Sequence, residues 1–166
     1  MSTTPDTLKP VEALALRTFA GHFATGVTVL TTRDNAGKRY GLTMNAVSCV
    51  CLDPPLFLAC VDRKSATLPA IRESGAFALN ILALDQDKVS NTFASKGDDK
   101  FAQIAAEDGV LGVPLITGAL AAAEFRVRQQ VEAGDHIIVI GEAVATQTRD
   151  TAPLLYFRGK YGALKS

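Results

Sequence analysis

A mainly β fold, an antiparallel barrel with a few short helices at its ends, is what this sequence predicts. Segments rich in β-branched and aromatic residues outnumber helical patterns. Turn signals such as Asp34-Asn35-Ala36-Gly37 recur between them. Strands and helices do not alternate as βαβ units, and neither G-x-G-x-x-G after the first strand nor a Walker A sequence is present. Together these favour hairpins wound into a barrel over a doubly wound nucleotide-binding sheet.

Along the chain, residues 1–9 are polar and expected to be flexible. Residues 11–24 space Leu14, Leu16, Phe19, Ala20 and Phe23 as an amphipathic helix does, and Gly26 is expected to end it. Residues 27–33 read as a β-branched strand. Its return begins at Lys38, is interrupted near Asn45, and leads into a further strand through Leu52. Residues 55–62 are apolar almost throughout and expected to be buried on both faces. A short helix over 66–74 has Ser65 or Thr67 as its cap and Gly75 as its terminator. A strand over 76–83 and a helix over 85–95, capped by Asp85, follow. Residues 96–112 read as loop with one helical turn. Residues 119–134 and 135–148 predict two long strands joined at Gly134-Asp135. The tail predicts one short strand and a turn at Arg158-Gly159-Lys160.

The 166 residues suit one domain. A chain of that length buries roughly 70% of its unfolded surface, so no disulfide or metal is needed to hold it together. Lys+Arg and Asp+Glu number 17 each. That balance lacks the basic excess of a nucleic-acid binder and leaves little charge repulsion against self-association. Cys49, Cys51 and Cys60 form no C-x-x-C and no zinc spacing. They are expected to be buried thiols in a reducing cytoplasm. The first ten residues do not read as a signal peptide, and no apolar run reaches the roughly 18 residues of a membrane span.

The strand over 55–62 breaks into Asp62-Arg63-Lys64-Ser65-Ala66-Thr67. Two hydroxyls and two cations at a helix start can cradle a phosphate, through free N–H groups and the helix dipole. The same pattern also suits an ordinary capped helix with solvated cations. Thr43 and Asn45 interrupt an apolar strand, as either a bulge or hydrogen-bonding groups for a planar heterocycle. His136 follows a turn at a strand entrance, and Tyr156 and Tyr161 flank a cationic turn. No G-x-S-x-G, paired-carboxylate or H-E-x-x-H motif points to hydrolysis.

The ordered series "FATGVTVLTT", "GLTMNAVSCVCLDPPLFLACVDRKSAT", "SGAFALNIL", "GDHIIVIGEA" and "PLLYFRGKYG" resembles the flavin reductase family. These are short NAD(P)H:flavin oxidoreductases that serve two-component flavin-dependent monooxygenases. The likeness runs from about Phe19 to Gly162. It implies a homodimeric split β-barrel over residues 10–166 that binds FMN or FAD and takes hydride from NADH or NADPH. The implied partner is an oxygenase reached by diffusing reduced flavin, with no role for nucleic acid or membrane.

The resemblance also implies site residues. Thr43, Met44, Asn45 and Ala46 would line the flavin ring. Cys60, Val61 and Asp62 would pass beside it. Lys64, Ser65, Ala66 and Thr67 would reach the phosphate end. Phe93, Ala94, Ser95, Lys100 and Phe101 would close over that end. His136 and Tyr156 would face the nicotinamide, with His136 positioning it and no residue acting as a nucleophile. Many members carry serine where this chain has Ala46, Cys49 and Cys51, and the resemblance implies that Ala46 removes one possible hydroxyl contact to the ring. The competing expectations are a split-barrel flavoprotein that retains its flavin, such as a ferric reductase or oxidase, and a non-enzymatic flavin- or haem-binding module.

Overall fold

The computed structural model describes residues 9–97 and 99–165, and antiparallel pairing organises them throughout. The flexible segment expected at 1–9 lies outside the described residues except for Lys9. In chain order the elements are α1 (Ala13–Gly21), β1 (Thr25–Gly26), β2 (Thr28–Arg33), β3 (Arg39–Met44), β4 (Val47–Leu52) and β5 (Pro55–Asp62). Then come α2 (Thr67–Ser74), β6 (Ala76–Ile81), α3 (Asp87–Ala94), a 3-10 turn (Lys100–Ala102), β7 (Ala106–Asp108) and β8 (Pro114–Ile116). The long pair β9 (Ala121–Ala133) and β10 (His136–Thr148) precedes β11 (Leu155–Phe157) and β12 (Lys160–Gly162).

The main sheet has seven strands in the order β3-β2-β6-β9-β10-β5-β4. Its two edge strands, β3 and β4, are consecutive in sequence. Asn45-Ala46 therefore carries the chain straight from one edge of the sheet to the other. Cys60 N–H donates to the Ala46 carbonyl at 2.9 Å and seals that crossing. No ladder joins the edge strands β3 and β4, so the sheet is left unclosed, as in a split antiparallel barrel. Helix α2 plugs the interior, placing Leu68 and Ile71 among Leu30, Phe77, Phe125 and Val139. Gly75 ends α2 in a left-handed conformation, with φ 64°.

The core is pinned by one polar side chain. Asn80 on β6 is fully buried. Its amide donates to the Val29 carbonyl and Thr31 Oγ1, both at 3.0 Å, and its Oδ1 accepts from Ile116 N–H at 2.8 Å. Asn80→Leu would orphan that N–H and carbonyl, at about 1–3 kcal/mol for each buried group left unsatisfied. Urea denaturation should show a loss of that size; a loss under half a kcal/mol would mean the strands do not rely on this residue.

Several sequence expectations are corrected. Helix α1 ends at Gly21, and Gly26 lies in β1 opposite Leu155. None of its side chains is buried: Leu14 is 74% and Phe19 76% exposed. Asp85 does not cap α3; the residue before the helix is Gln86, whose Oε1 instead accepts from Ala83 N–H. Strand β5 is buried fully only at Ala59 and Val61, because its other face is not covered within one chain. Cys49 is exposed and Cys51 half-buried, since β4 is an edge strand, and Cys60 on β5 is half-buried too. The tail holds two strands, β11 and β12, which join β1 in a three-stranded sheet. Residues 106–108, inside the expected loop, form a strand that pairs with 114–116 beyond it.

Candidate active site

Helix α3 packs on the edge strand β3, and a glycine lets it come close. A Cβ on Gly41 would stand 2.6 Å from the Phe93 ring, a contact only a missing side chain permits. Thr43 Oγ1 adds a hydrogen bond to the Ser90 carbonyl at 2.7 Å. Two hollows border this strand. The first, about 130 Å³, is lined by residues 38–42, 65–67, Gly97, Lys100 and Phe101. The second, about 230 Å³, is lined by Val27, Thr43, Met44, Asn45, Ser90, Ala94, Tyr156 and Tyr161.

The first hollow is cationic and hydroxyl-rich. Its lining includes Lys38, Arg39, Lys100, Ser65 and Thr67, and no carboxylate among the described residues. Lys100 Nζ is fixed by the carbonyls of Phe93 at 2.9 Å and Gly41 at 3.4 Å. Burial pushes its pKa below the ordinary lysine value of 10.5. The turn that brings in Ser65 is tight: Ser65 N–H donates to the Asp62 carbonyl, and Asp62 Oδ1 accepts from Lys64 N–H at 2.7 Å. Ser65 Oγ then accepts from Thr67 N–H at 3.2 Å, while Ala66 occupies the cap position itself. The N-terminus of α2 thus opens into a positively charged pocket, the combination that suits an anion.

The second hollow is aromatic and amide-lined. Tyr161 OH donates to Asn91 Oδ1 at 3.1 Å and shares a 2.8 Å hydroxyl–hydroxyl hydrogen bond with Ser90 Oγ, which ties β12 to α3. Tyr156 meets Tyr161 edge to face, 5.9 Å between centroids. Asn45 Nδ2 donates to Thr25 Oγ1 at 3.2 Å. A flat ring with polar edges suits such walls, and its phosphate-bearing tail suits the neighbouring cationic hollow. The donor set of the two hollows therefore fits a flavin nucleotide.

Of the expected residues, Ser65, Ala66, Thr67, Lys100 and Phe101 meet at the first hollow, and Thr43, Met44, Asn45, Ala94 and Tyr156 at the second. Ala46 and Cys60 meet through their backbones at the crossing. Val61 and Phe93 turn their side chains into the cores, leaving only backbone groups for a ligand. Ser95 ends α3, and its Oγ donates to the Thr92 carbonyl. His136 pairs with Asp62 across β10 and β5, beside the Lys64 turn, and lines neither hollow. Its Nδ1 lies 2.7 Å from Asp135 Oδ1, and that contact holds the Asp135 carboxyl below its usual range. His136 and Tyr156 are thus not brought together in one hollow. Sequence reasoning missed Lys38, Arg39, Tyr40, Gly41 and Ser90, and left Tyr161 out of the site. Two successive cations opening a strand were the available signal.

A Flavin reductase like domain matches residues 20–165. The chain belongs to the flavin reductase family. It is 40% identical, over 93% of its length and 83% of the relative's, to the reductase component of a 4-nitrophenol 4-monooxygenase/4-nitrocatechol 2-monooxygenase from Rhodococcus opacus. It is 43% identical to a flavin reductase (NADH) from Kitasatospora aureofaciens, over 85% of this chain and 76% of that one. The solved NADH:FAD oxidoreductase SgcE6 of Streptomyces globisporus C-1027 superposes with a TM-score of 0.89 at 31% identity, covering 96% of this chain and 97% of that one. Some relatives are longer, and the match spans 47% of one of them. Among the described residues no helix of this flavin reductase is long and apolar enough to cross a membrane.

Proposed function

We propose that this chain is an NAD(P)H:flavin oxidoreductase that takes hydride from NADH, passes it to FMN or FAD, and supplies reduced flavin to a flavin-dependent oxygenase. The observation that carries the reading is the pair of hollows along β3, one cationic and one aromatic. A bound flavin accepts hydride from the nicotinamide, and that chemistry belongs to the cofactors. The chain's residues bind, orient and shield. Ser65, Thr67 and Lys100 hold the flavin phosphate. Thr43, Met44, Asn45 and Ala46 border the ring, and Tyr156 walls it. Cys60, Val61, Phe93 and Ser95 support the site from the backbone. Holding two rings face to face contributes several kcal/mol to the rate through orientation alone. Loss of NADH absorbance on adding FMN or FAD tests the reading.

His136 stands beside the turn that carries Lys64 and Ser65, within reach of a nucleotide that overlies the flavin. Its imidazole positions the nicotinamide nucleotide by hydrogen bonding and takes no proton in hydride transfer. His136→Ala should raise the KM for NADH several-fold with a smaller fall in kcat, the signature of lost uniform binding. An unchanged KM would return His136 to a structural role beside Asp135.

The enzyme works as a homodimer. One end of the split barrel opens as an apolar hollow of about 350 Å³, lined by residues such as Val47, Cys49, Phe57, Leu79 and Phe125. Leu52 at its rim is 84% exposed, and α1 shows its apolar side chains to solvent. Apolar surface of this extent calls for a partner, and a second copy covers both features symmetrically. Sedimentation equilibrium should return twice the chain mass; a monomer at micromolar concentration would contradict it. The partner oxygenase then receives reduced flavin by diffusion.

A further inference from the structure

The cations of the first hollow do not converge on one point. Lys100 is pinned to the carbonyls of Phe93 and Gly41. Arg39 is drawn the other way, with Nη2 2.7 Å from Asp108 Oδ1 and Nη1 on the Ala106 carbonyl. Arg33 shares the same Asp108 carboxylate, so two guanidiniums face one acid and a positive charge is left over. Lys38 Nζ lies 5.2 Å from the centre of the Tyr40 ring. Asp34 lies close by, but its carboxylate is taken up by Lys38 N–H and Tyr40 OH. A single phosphate concentrates its charge and is served by Lys100 with Ser65 and Thr67. Lys38 and Arg39, on the opening of β3, are then surplus.

We propose that the hollow takes a ligand with two phosphates, so that FAD is the preferred flavin, with Lys38 and Arg39 holding its second phosphate. This rests on the flavin reading of the site. In a diphosphate the negative charge is spread along the linkage, which matches cations spread over β3 and the 3-10 turn. Tyr40 and Phe101 line the same hollow, and flat aromatic faces stack well on an adenine. Arg39 already lies 6.0 Å from the centre of the Phe101 ring, so charge and aromatic surface are adjacent there. The same cations could instead serve the ribose phosphate of NADPH, which shares the chemistry of a second phosphate.

Flavin fluorescence titration of the wild type and of Lys38→Gln with FMN and with FAD separates these cases, with KM values for NADH and NADPH alongside. The wild type should bind FAD more tightly than FMN by roughly ten-fold. Lys38→Gln should shrink that preference about five-fold, the scale of one exposed charge contact. ADP alone should compete with FAD in the wild type and less well in the variant. Equal affinity for both flavins, or an equal loss for both in Lys38→Gln, overturns the proposal while leaving the flavin reading standing. A change confined to the NADPH KM overturns it in favour of the nicotinamide nucleotide. Binding of neither flavin overturns both.

Discussion

Lys100→Met should weaken flavin binding by between ten-fold and a hundred-fold. A hydrogen bond from a charged donor contributes about 1.5–3 kcal/mol, and each 1.4 kcal/mol is a factor of ten. Lys100 meets that description, because its ammonium is half-buried, is aimed by two backbone carbonyls, and has no carboxylate partner among the described residues. Lys100→Arg keeps the charge and should recover part of the affinity. The Ser65→Ala, Thr67→Ala double variant should fall in the same direction, since it removes two hydroxyls from the same hollow. Fluorescence titration of added flavin reads all three. The pH profile gives a further check. Burial lowers the pKa of Lys100, so its charge is lost on the alkaline side earlier than for an ordinary lysine. Affinity should decline there, and the decline should vanish in Lys100→Met. Unchanged affinity in the lysine and double variants together would move the phosphate elsewhere.

Phe77→Ala should cost about 3–5 kcal/mol of stability, the range for deleting a buried aromatic ring. Phe77 is fully buried on β6 and lies directly opposite Phe125 on β9. The rings stack with centroids 5.0 Å apart and 17° between planes. Gly141 on β10 leaves room for them: a Cβ there would lie 2.7 Å from both Phe77 Cε1 and Phe125 Cβ. Gly141 has no side chain of its own to fill the space left by the ring. Against a total of about 5–15 kcal/mol for a domain, such a loss leaves a marginal fold. Urea denaturation at fixed protein concentration, which the proposed dimer requires, should show it. A cost below 1 kcal/mol would mean the barrel interior collapses around the gap.

Much of this architecture was legible because local chemistry and tertiary pairing agree. Asp34-Asn35-Ala36-Gly37 specified a hairpin and formed one, with Gly37 at φ 88°. The pause at Asn45 marked the point where the chain leaves one sheet edge for the other. Gly75 and Gly134 closed the elements they were expected to close. The errors share a different cause. Leu14, Leu16, Phe19 and Phe23 announce an apolar helix face, and Cys49 and Cys51 an apolar strand face. Periodicity reports that a face is apolar and not what covers it, so the cysteines were expected to be buried and the helix face was read only as amphipathic. Within the candidate site, turn chemistry singled out Ser65 and Thr67, whereas Lys100 was reached only through the resemblance. Lys38 and Arg39 were hidden because a cation after a hairpin turn is usually just solvated. Gly41 gave no signal, because the approach of Phe93 that requires it is set by packing fifty residues away in sequence.

The central claim, hydride transfer from a nicotinamide to a flavin held along β3, is tested most directly by an anaerobic single turnover. The purified chain with equimolar flavin is mixed with NADH, and the oxidised flavin absorbance is followed. The account predicts that it bleaches as NADH is consumed, one for one, and far faster than in the same mixture without protein. Bleaching at the protein-free rate with FMN and FAD alike, and with NADPH in place of NADH, would contradict it.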